Sequence, residues 1–262
     1  MKLIDFQNAE IWEQAPGFDG MCEHIARCAA ICYNSEPKTG ENAVDFVRRL
    51  IKRGHGRPLE FGTLVIGTKK DNEIKVEALQ NEGPWMHCIT DDERFIAVVN
   101  LRSLVCNIGI PFKDIERHWT DTEIPKEARR YTVHYPAISR AIADEFRTHT
   151  SLSTLMQSTR YVMPVNNDGI EFIKPYWYGS STFLDETFER GLKQAEQSYN
   201  DMFAICHSRQ GARDVLPLCV KTEMVQCGFM SAWNNFMNLR LDGAAHPQAR
   251  QIALTVKRAL KL

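Results

Sequence analysis

The sequence lacks an excess of charge of either sign. Its 32 Lys and Arg residues oppose 33 Asp and Glu residues, so the formal net charge is -1. A nearly neutral chain has no global field that would draw it to nucleic acid or to an anionic membrane. Any phosphate that this protein binds must therefore be held by local groups.

Long apolar runs and linkers are also missing. No stretch approaches the length of a membrane span, and the first residues lack a basic segment followed by an apolar one. We therefore expect a cytoplasmic protein without membrane or nucleic-acid partners. Gly/Ser-rich linkers, repeats and low-complexity segments are absent, and 44% of the residues are hydrophobic, enough for a sizeable core. These features predict a single domain over residues 1–262.

The eight cysteines follow no repeating spacing and include no C-x-x-C pair. This pattern indicates reduced thiols rather than a disulfide framework. Four potential metal ligands cluster near the N-terminus: Cys22, His24, Cys28 and Cys32. Met21 and Ile25 share helical spacing with two of these cysteines, which favours an apolar stripe in a core over a metal site. His87-Cys88 is likewise interpreted as part of a buried loop rather than as a ligand pair.

Hydrophobic periodicity predicts alternating helices and strands. Helical spacing occurs at about residues 19–34, 41–53, 136–148, 182–208, 231–239 and 247–260. Strand-like segments occur at residues 59–68, 74–79, 130–134 and 221–226, with a turn at 69–72 joining the first two as a hairpin. Residues 94–106 are expected to begin extended and to end helical. The inward face expected for the longest helix comprises Leu184, Phe188, Leu192, Ala195, Tyr199, Met202 and Phe203.

Polar groups crowd into the stretch from Glu145 to Tyr161. Ser158 and Thr159 can donate hydrogen bonds to phosphate oxygens, and Arg160 can add a bidentate, charge-assisted contact. A Ser/Thr-rich loop at the end of a helix is also common without any ligand. From these residues alone, a nucleotide site and an ordinary loop both remain open.

Two arginines stand among strongly apolar neighbours. Arginine is almost never fully buried without a partner. Arg213 and Arg240 therefore either face a bound anion or pair with carboxylates, for instance Asp214 and Asp242, and the local sequence slightly favours ion pairs. The glycine-containing turn at residues 53–61 is a weaker candidate site, because its glycines allow close backbone approach. It carries His55, Arg57 and Glu60.

Taken in order, four segments resemble the flavin-dependent thymidylate synthases. Residues 53–61 (RGHGRPLEF) are similar to that family's H-G-H-x-x-P-F/L-E-H/F turn, and residues 138–161 resemble its signature helix and loop. Residues 212–217 (ARDVLP) and residues 238–240 (NLR) with 245–248 (AHPQ) resemble its two C-terminal blocks. Four collinear blocks are far more specific than any one of them. A larger middle section, near residues 81–126, is of the kind found in one branch of the family.

The resemblance implies a single α/β domain with a mixed sheet flanked by helices, assembled as a homotetramer with shared active sites. The implied reaction methylates dUMP to dTMP with methylenetetrahydrofolate as the carbon donor, FAD as the hydride carrier and NADPH as the reductant. The resemblance assigns the dUMP phosphate and sugar to Ser158, Thr159, Arg160 and Arg213, with Glu145 nearby. Arg240 would lie against uracil as the catalytic residue, where a guanidinium stabilises negative charge on the ring carbonyl. The flavin and folate side would be formed by His55, Arg57, His149, Thr150 and Asn235.

The chain departs from the family at its hallmark motif. Where the family has Arg-His-Arg, this chain has Thr148-His149-Thr150. A hydrogen bond to a charged group contributes about 1.5–3 kcal/mol, so losing two of them would weaken FAD binding by roughly two or more orders of magnitude. Arg147 lies one residue earlier, which on a helix is about 100° away, so we do not expect it to replace either guanidinium directly.

The sequence contains no Pro-Cys pair, which the cysteine-dependent thymidylate synthases use to activate uracil. Without a protein nucleophile, the reducing electrons must come from a cofactor such as a flavin. Two alternatives remain open. One is an enzyme that transfers a one-carbon unit, such as hydroxymethyl, to a pyrimidine nucleotide without a tightly bound flavin. The other is a non-catalytic nucleotide-binding relative.

Overall fold

The computed structural model describes residues 1–32, 42–69, 85–90, 94–120, 123–162, 165–166 and 169–262. Its strands are β1 (Lys2–Ile4), β2 (Glu10–Trp12), β3 (Thr63–Lys69), β4 (Met86–Thr90), β5 (Arg94–Asn100), β6 (Arg130–Ser139), β7 (Ser153–Met156), β8 (Val165–Asn166), β9 (Gly169–Ile173) and β10 (Lys221–Phe229). Its α-helices are α1 (Gly17–Ala30), α2 (Ala43–Lys52), α3 (Arg140–Phe146), α4 (Thr182–Cys206), α5 (Arg209–Ala212), α6 (Met230–Arg240) and α7 (Pro247–Ala259). Short 3-10 turns include Pro58–Phe61 and Arg213–Val215, and Ser103–Ile108 forms a π-helical turn.

The described strands form three sheets. The central one has the order β2-β6-β10-β7 and is antiparallel throughout. A second antiparallel sheet has the order β3-β5-β4, and the third, β1-β9-β8, contains a parallel β1-β9 pair. The predicted α/β class is therefore confirmed. None of the helices in the described ranges combines the length and the apolar character needed to cross a membrane.

Two hydrophobic clusters hold these layers together. Tyr135 of β6, Phe146 of α3 and Trp233 of α6 are buried in the first, which joins the central sheet to α3, α6 and α7. The second joins α1 and α2 to the β3-β5-β4 sheet and contains Met21 and Ile25. Burial of this helical stripe confirms its interpretation as core.

The potential metal ligands His24 and Cys28 are buried within the core. His24 Nε2 lies 3.0 Å from Thr132 Oγ1 and 3.7 Å from Cys28 Sγ. Burial lowers the pKa of His24 to about 4 and raises that of Cys28. Both groups are therefore neutral core side chains near neutral pH.

Two expected elements begin later than their periodicity indicates. The strand expected at residues 59–68 begins at Thr63, because Pro58 starts a 3-10 turn that buries Leu59 and Phe61. The helix expected at residues 136–148 begins at Arg140, because residues 136–139 continue β6, whose last two residues pair with β10. Both starting points were predicted wrongly, since partners distant in sequence decide them.

The middle of the chain agrees with the predictions in part. Residues 94–106 begin as β5 and end in the π-helical turn, as expected. The hairpin partner expected at residues 74–79 and most of its turn lie outside the described residues, and β3 pairs with β5. His87-Cys88 lies in β4 rather than in a buried loop, and His87 is exposed. This expectation was wrong because β4 pairs only with β5 among the described strands.

Helix α4 is covered less than its periodicity suggests. Leu192 and Tyr199 are buried against β9 and its neighbours. Leu184 and Met202, which were also expected to face inward, are 46% and 37% exposed. Only part of the apolar face of α4 is therefore buried within this chain.

Candidate active site

The end of α6 is joined to the end of α3 by one guanidinium. Arg240 Nε donates to His149 Nε2 at 2.8 Å, and Nη1 donates to Glu145 Oε2 at 3.0 Å. Nη2 donates to the Glu145 carbonyl at 2.7 Å and to Thr148 Oγ1 at 3.1 Å. A cation is favoured here because the last carbonyl groups of both helices carry partial negative charge.

Aromatic packing places the guanidinium. Phe236 lies one turn before Arg240 on α6, and its ring meets that of Phe146 edge to face at 4.8 Å. The Phe236 ring also lies 4.9 Å from that of His149. These contacts fix the two helix ends before any ligand enters, so the polar group is preorganised.

His149 is neutral in this arrangement. It is only 5% exposed, and burial, together with the Arg240 charge, lowers its pKa to about 4. Because Nε2 accepts a hydrogen bond from Arg240, the ring proton is assigned to Nδ1. A charged imidazole beside the guanidinium would be strongly disfavoured.

The ion pair favoured by the local sequence forms at Arg213 but not at Arg240. The alternative partner considered for Arg240, Asp242, is wrong, since Glu145 forms its ion pair. Arg213 Nε lies 3.6 Å from Asp214 Oδ1, as the local sequence favoured. Asp242, two positions away, was a plausible local partner for Arg240. Helix packing instead brings Glu145, 95 residues away, into contact with it.

The loop after β7 forms a second polar group. Ser158 N–H donates to the Cys32 carbonyl at 3.1 Å, and Arg160 Nε donates to Gln210 Oε1 at 3.1 Å. Arg209 Nη1 donates to the Tyr161 carbonyl. The loop that carries Ser158, half-buried Thr159 and Arg160 is thus attached to α5, the helix that leads directly to Arg213.

Arg140 joins this loop and was missed from the sequence. Its Nη1 donates to the Gln157 carbonyl at 3.4 Å. Burial lowers the pKa of Arg140; Asp144 opposes this effect, whereas Arg147 and Arg213 add to it. Arg140 is the first residue of α3, where a cation is disfavoured by the helix dipole. Because the helix was expected to begin at residue 136, the sequence did not place Arg140 at this position.

Arg147, which was not expected to replace the missing guanidiniums, pairs with a neighbour on its own helix. Arg147 Nε lies 3.1 Å from Asp144 Oδ1, and its side chain is 58% exposed. Thr148 Oγ1 donates to the Glu145 carbonyl at 2.7 Å, and Thr150 is exposed. That Arg147 does not restore the anchor stays a prediction.

A cavity of about 380 Å³ lies beside this motif. Its lining comprises Met86, His87, Ser151, Phe229, Ser231, Ala232 and Asn235. The amide of Asn235, two hydroxyls and the Phe229 ring fit a planar heteroaromatic group that needs stacking and hydrogen bonds. The lining contains no Arg or Lys, so phosphates attached to such a group would need cations from another element.

The turn at residues 53–61 remains apart from the Arg240 group. His55 is exposed, and Arg57 Nη1 lies 3.1 Å from both carboxylate oxygens of Glu60. In the part of the chain that the structure describes, neither side chain is hydrogen-bonded or ion-paired to Arg240 or to Ser158. Phe61 packs against Leu155 of β7, which places the turn on the β7 side of the central sheet.

Known proteins are similar to the part of the chain that holds most of these residues. A family model described as thymidylate synthase complementing protein matches residues 115–262. The chain is 28% identical over 134 residues to a flavin-dependent thymidylate synthase of Wolinella succinogenes, covering 50% of this chain and 66% of that protein. It is 25% identical over 154 residues to a flavin-dependent thymidylate synthase of Synechocystis sp., covering 55% and 69%. The match thus spans about two thirds of the length of each relative.

Proposed function

Because this chain belongs to the thymidylate synthase complementing protein family, we propose that it is a flavin-dependent thymidylate synthase that methylates dUMP to dTMP. Methylenetetrahydrofolate is the proposed carbon donor and NADPH the proposed reductant. FAD, when bound, supplies the hydride-transfer chemistry. The observation that carries the proposal is the placement of two cationic groups at opposite ends of α3, Arg140 with Arg213 and Arg240 with Glu145.

The first end suits a phosphate. Burial and the like charge of Arg213 lower the pKa of Arg140. Asp144 lies 3.8 Å from Arg140, and Asp214 lies 3.6 Å from Arg213. A dianion between them would relieve this repulsion and receive charge-assisted hydrogen bonds. The hydroxyls of Ser158 and Thr159, with Arg160, are proposed as further donors.

The second end suits a pyrimidine ring. Arg140 and Glu145 are separated by roughly 7.5 Å along α3, at 1.5 Å per residue. This separation is comparable to the span of a mononucleotide from phosphate to base. Arg240 would then lie against the uracil carbonyl, where its charge stabilises the negative charge that develops as C5 becomes nucleophilic. Neutral His149 and the Glu145 side chain orient the guanidinium.

Asn235, with Ser151 and Phe229, would hold the flavin ring, beside the predicted cofactor residues His149 and Thr150. His55 and Arg57 are proposed for the same side. The absence of cations at positions 148 and 150 keeps one-carbon transfer without a tightly bound flavin as the second candidate. A non-catalytic nucleotide binder is the third outcome that an experiment must separate.

The proposed assembly is a cytoplasmic homotetramer of a single domain. It is supported by large apolar side chains on the surface of the described chain. Phe183 and Ile205 of α4 are 75% and 82% exposed, and Leu218 is 64% exposed. Exposed apolar side chains mark an association surface where they gather into a patch.

The test is product formation by purified protein supplied with dUMP, methylenetetrahydrofolate, NADPH and FAD. We expect bound or readily acquired flavin, release of the C5 proton of dUMP and a product with the mass of dTMP. A hydroxymethylated product without flavin uptake would favour the second candidate. Binding of dUMP without proton release or product, with flavin supplied, would identify a non-catalytic binder and contradict the proposal.

A further inference from the structure

A buried carboxylate lies between two arginines from separate parts of the chain. Glu60 is only 3% exposed. Arg57 Nη1 lies 3.1 Å from both of its oxygens, and Arg102 Nη1 contacts Oε1 directly. Arg130 Nη2 donates to the Glu60 carbonyl at 2.7 Å. Two guanidiniums therefore contact the carboxylate, and a third binds the backbone carbonyl of the same residue, which leaves a local positive charge.

The number of guanidiniums at Glu60 is greater than burial of its carboxylate requires. A buried carboxylate needs a cationic or hydrogen-bonding partner, and one arginine would supply it. The Arg57 and Arg102 side chains are 49% and 42% exposed, and each binds Glu60 through one Nη atom. Since a guanidinium has five N–H donors, most donors of both remain available at the surface. Glu60 thus aligns two cations whose outer donors are accessible.

The chain is adapted to hold Arg102 in this place. A side chain at position 56 would bring its first carbon to 3.1 Å from Arg102 Nε, so Gly56 permits the arginine to lie against the turn. Arg102 follows β5, whereas Arg57 precedes the 3-10 turn that contains Glu60. Two elements distant in sequence are therefore brought together around the carboxylate.

The arginine group adjoins the cavity beside Asn235. Arg130 is bound to Glu60 and lies 5.7 Å from the centre of the Phe229 ring. Phe229 lines that cavity. The Arg130 Nε atom is buried and has no hydrogen-bond partner among the described residues. The cavity thus offers a ring face and an amide but no Arg or Lys. The adjoining arginine group offers cations with accessible donors.

We propose that Arg57 and Arg102, aligned by Glu60, form an anion site for the phosphate groups of the flavin cofactor. This inference rests on the proposed function and assigns the phosphate contacts to a different element from Thr148 and Thr150. Two adjacent guanidiniums match a diphosphate because each can bind two oxygens at once. Arg102 becomes a cofactor-binding residue that the sequence did not indicate.

The test compares FAD with riboflavin, which has the same ring without phosphates. In Arg102→Gln, and separately in Arg57→Gln, we expect the dissociation constant for FAD to rise about 10- to 100-fold, because one charge-assisted contact is lost. The riboflavin constant should stay within about twofold, because no phosphate contact is involved. Arg117→Gln is the matched control: this arginine is 62% exposed and paired with Asp114, and its loss should change neither constant.

A second variant separates binding from folding. Arg102→Gln leaves Glu60 with one fewer partner, which could destabilise the fold. The double variant Glu60→Gln/Arg102→Gln removes the buried charge as well and should fold while still losing FAD affinity. Unchanged FAD affinity in both variants would overturn the inference. Equal losses for FAD and riboflavin would also overturn it, since they would show a general structural effect.

A third measurement distinguishes this inference from the proposed function. If neither flavin binds to the wild-type protein, the proposed function fails, and inorganic pyrophosphate becomes the probe. In an Arg213→Gln background, pyrophosphate should raise the thermal unfolding temperature, and adding Arg102→Gln should remove that rise. An equal rise with and without Arg102 would overturn the anion site itself.

Discussion

Arg240 and His149 share a hydrogen bond of 2.8 Å in which the guanidinium donates and the imidazole accepts. This direction requires a neutral histidine, and the low pKa of His149, about 4, satisfies it. The pair therefore keeps one positive charge at the proposed base-binding end of the site. Two charges would repel each other and weaken the orientation of Arg240.

The first prediction concerns Arg240→Ala. Turnover of dUMP should fall at least about 100-fold, because the group that stabilises charge on the uracil carbonyl is lost. Binding of dUMP should weaken only partly, because Arg140 and Arg213 still hold the phosphate. Single-turnover kinetics and titration calorimetry measure the two effects. An unchanged rate would show that the uracil assignment is wrong.

The second prediction concerns Arg140→Gln. Its affinity for dUMP should drop by about tenfold or more, from the loss of one charge-assisted contact, whereas deoxyuridine, which lacks the phosphate, should bind as before. Arg258→Gln, at an exposed position of α7, is the control. Calorimetric titration of both ligands distinguishes these cases. Parallel losses for dUMP and deoxyuridine would assign Arg140 to the fold rather than to the phosphate.

The third prediction concerns pH. The folded-state pKa of His149, about 4, lies below the ordinary histidine value of 6.5, so the unfolded chain binds more protons between these values. Its contribution to stability is therefore present above pH 6.5 and is lost as the pH falls towards 4. Urea unfolding at several pH values should show a smaller loss for His149→Gln than for the wild type, by about 1–3 kcal/mol.

The glutamine variant keeps an acceptor for Arg240 but does not titrate. His24 titrates over the same range, because burial lowers its pKa to about 4 as well. Part of the pH dependence should therefore remain in His149→Gln. Identical pH profiles for the variant and the wild type would contradict the burial of a neutral imidazole at position 149.

The fourth prediction concerns assembly. Ile205→Glu places a charge on the exposed apolar surface of α4 and should shift the tetramer to smaller species, because a buried unpaired charge is costly. Light scattering after size-exclusion chromatography measures the mass. Gln194→Glu, on an exposed polar position of the same helix, should leave it unchanged. A wild-type monomer would contradict the proposed assembly from the outset.

The local pattern of the chain determined many of its elements. Helices α2, α4, α6 and α7 lie within two residues of their predicted bounds, because a continuous apolar stripe and local end signals suffice to define such helices. Gly54, just after α2, has a positive φ of 71°, a conformation that favours glycine at the end of a helix. The residue blocks that carry the family resemblance are also local, so the sequence showed them without a structure.

Tertiary structure decided the contacts between distant segments. Glu145, rather than nearby Asp242, binds Arg240 because α3 and α6 meet through buried aromatic rings. Residues 138–139 are extended because β10 supplies hydrogen bonds that local helical periodicity does not outweigh. Arg102 reaches Glu60 only after β5 pairs with β3. Sequence periodicity reports what each segment can bury, but only packing determines which charged groups share a low-dielectric neighbourhood.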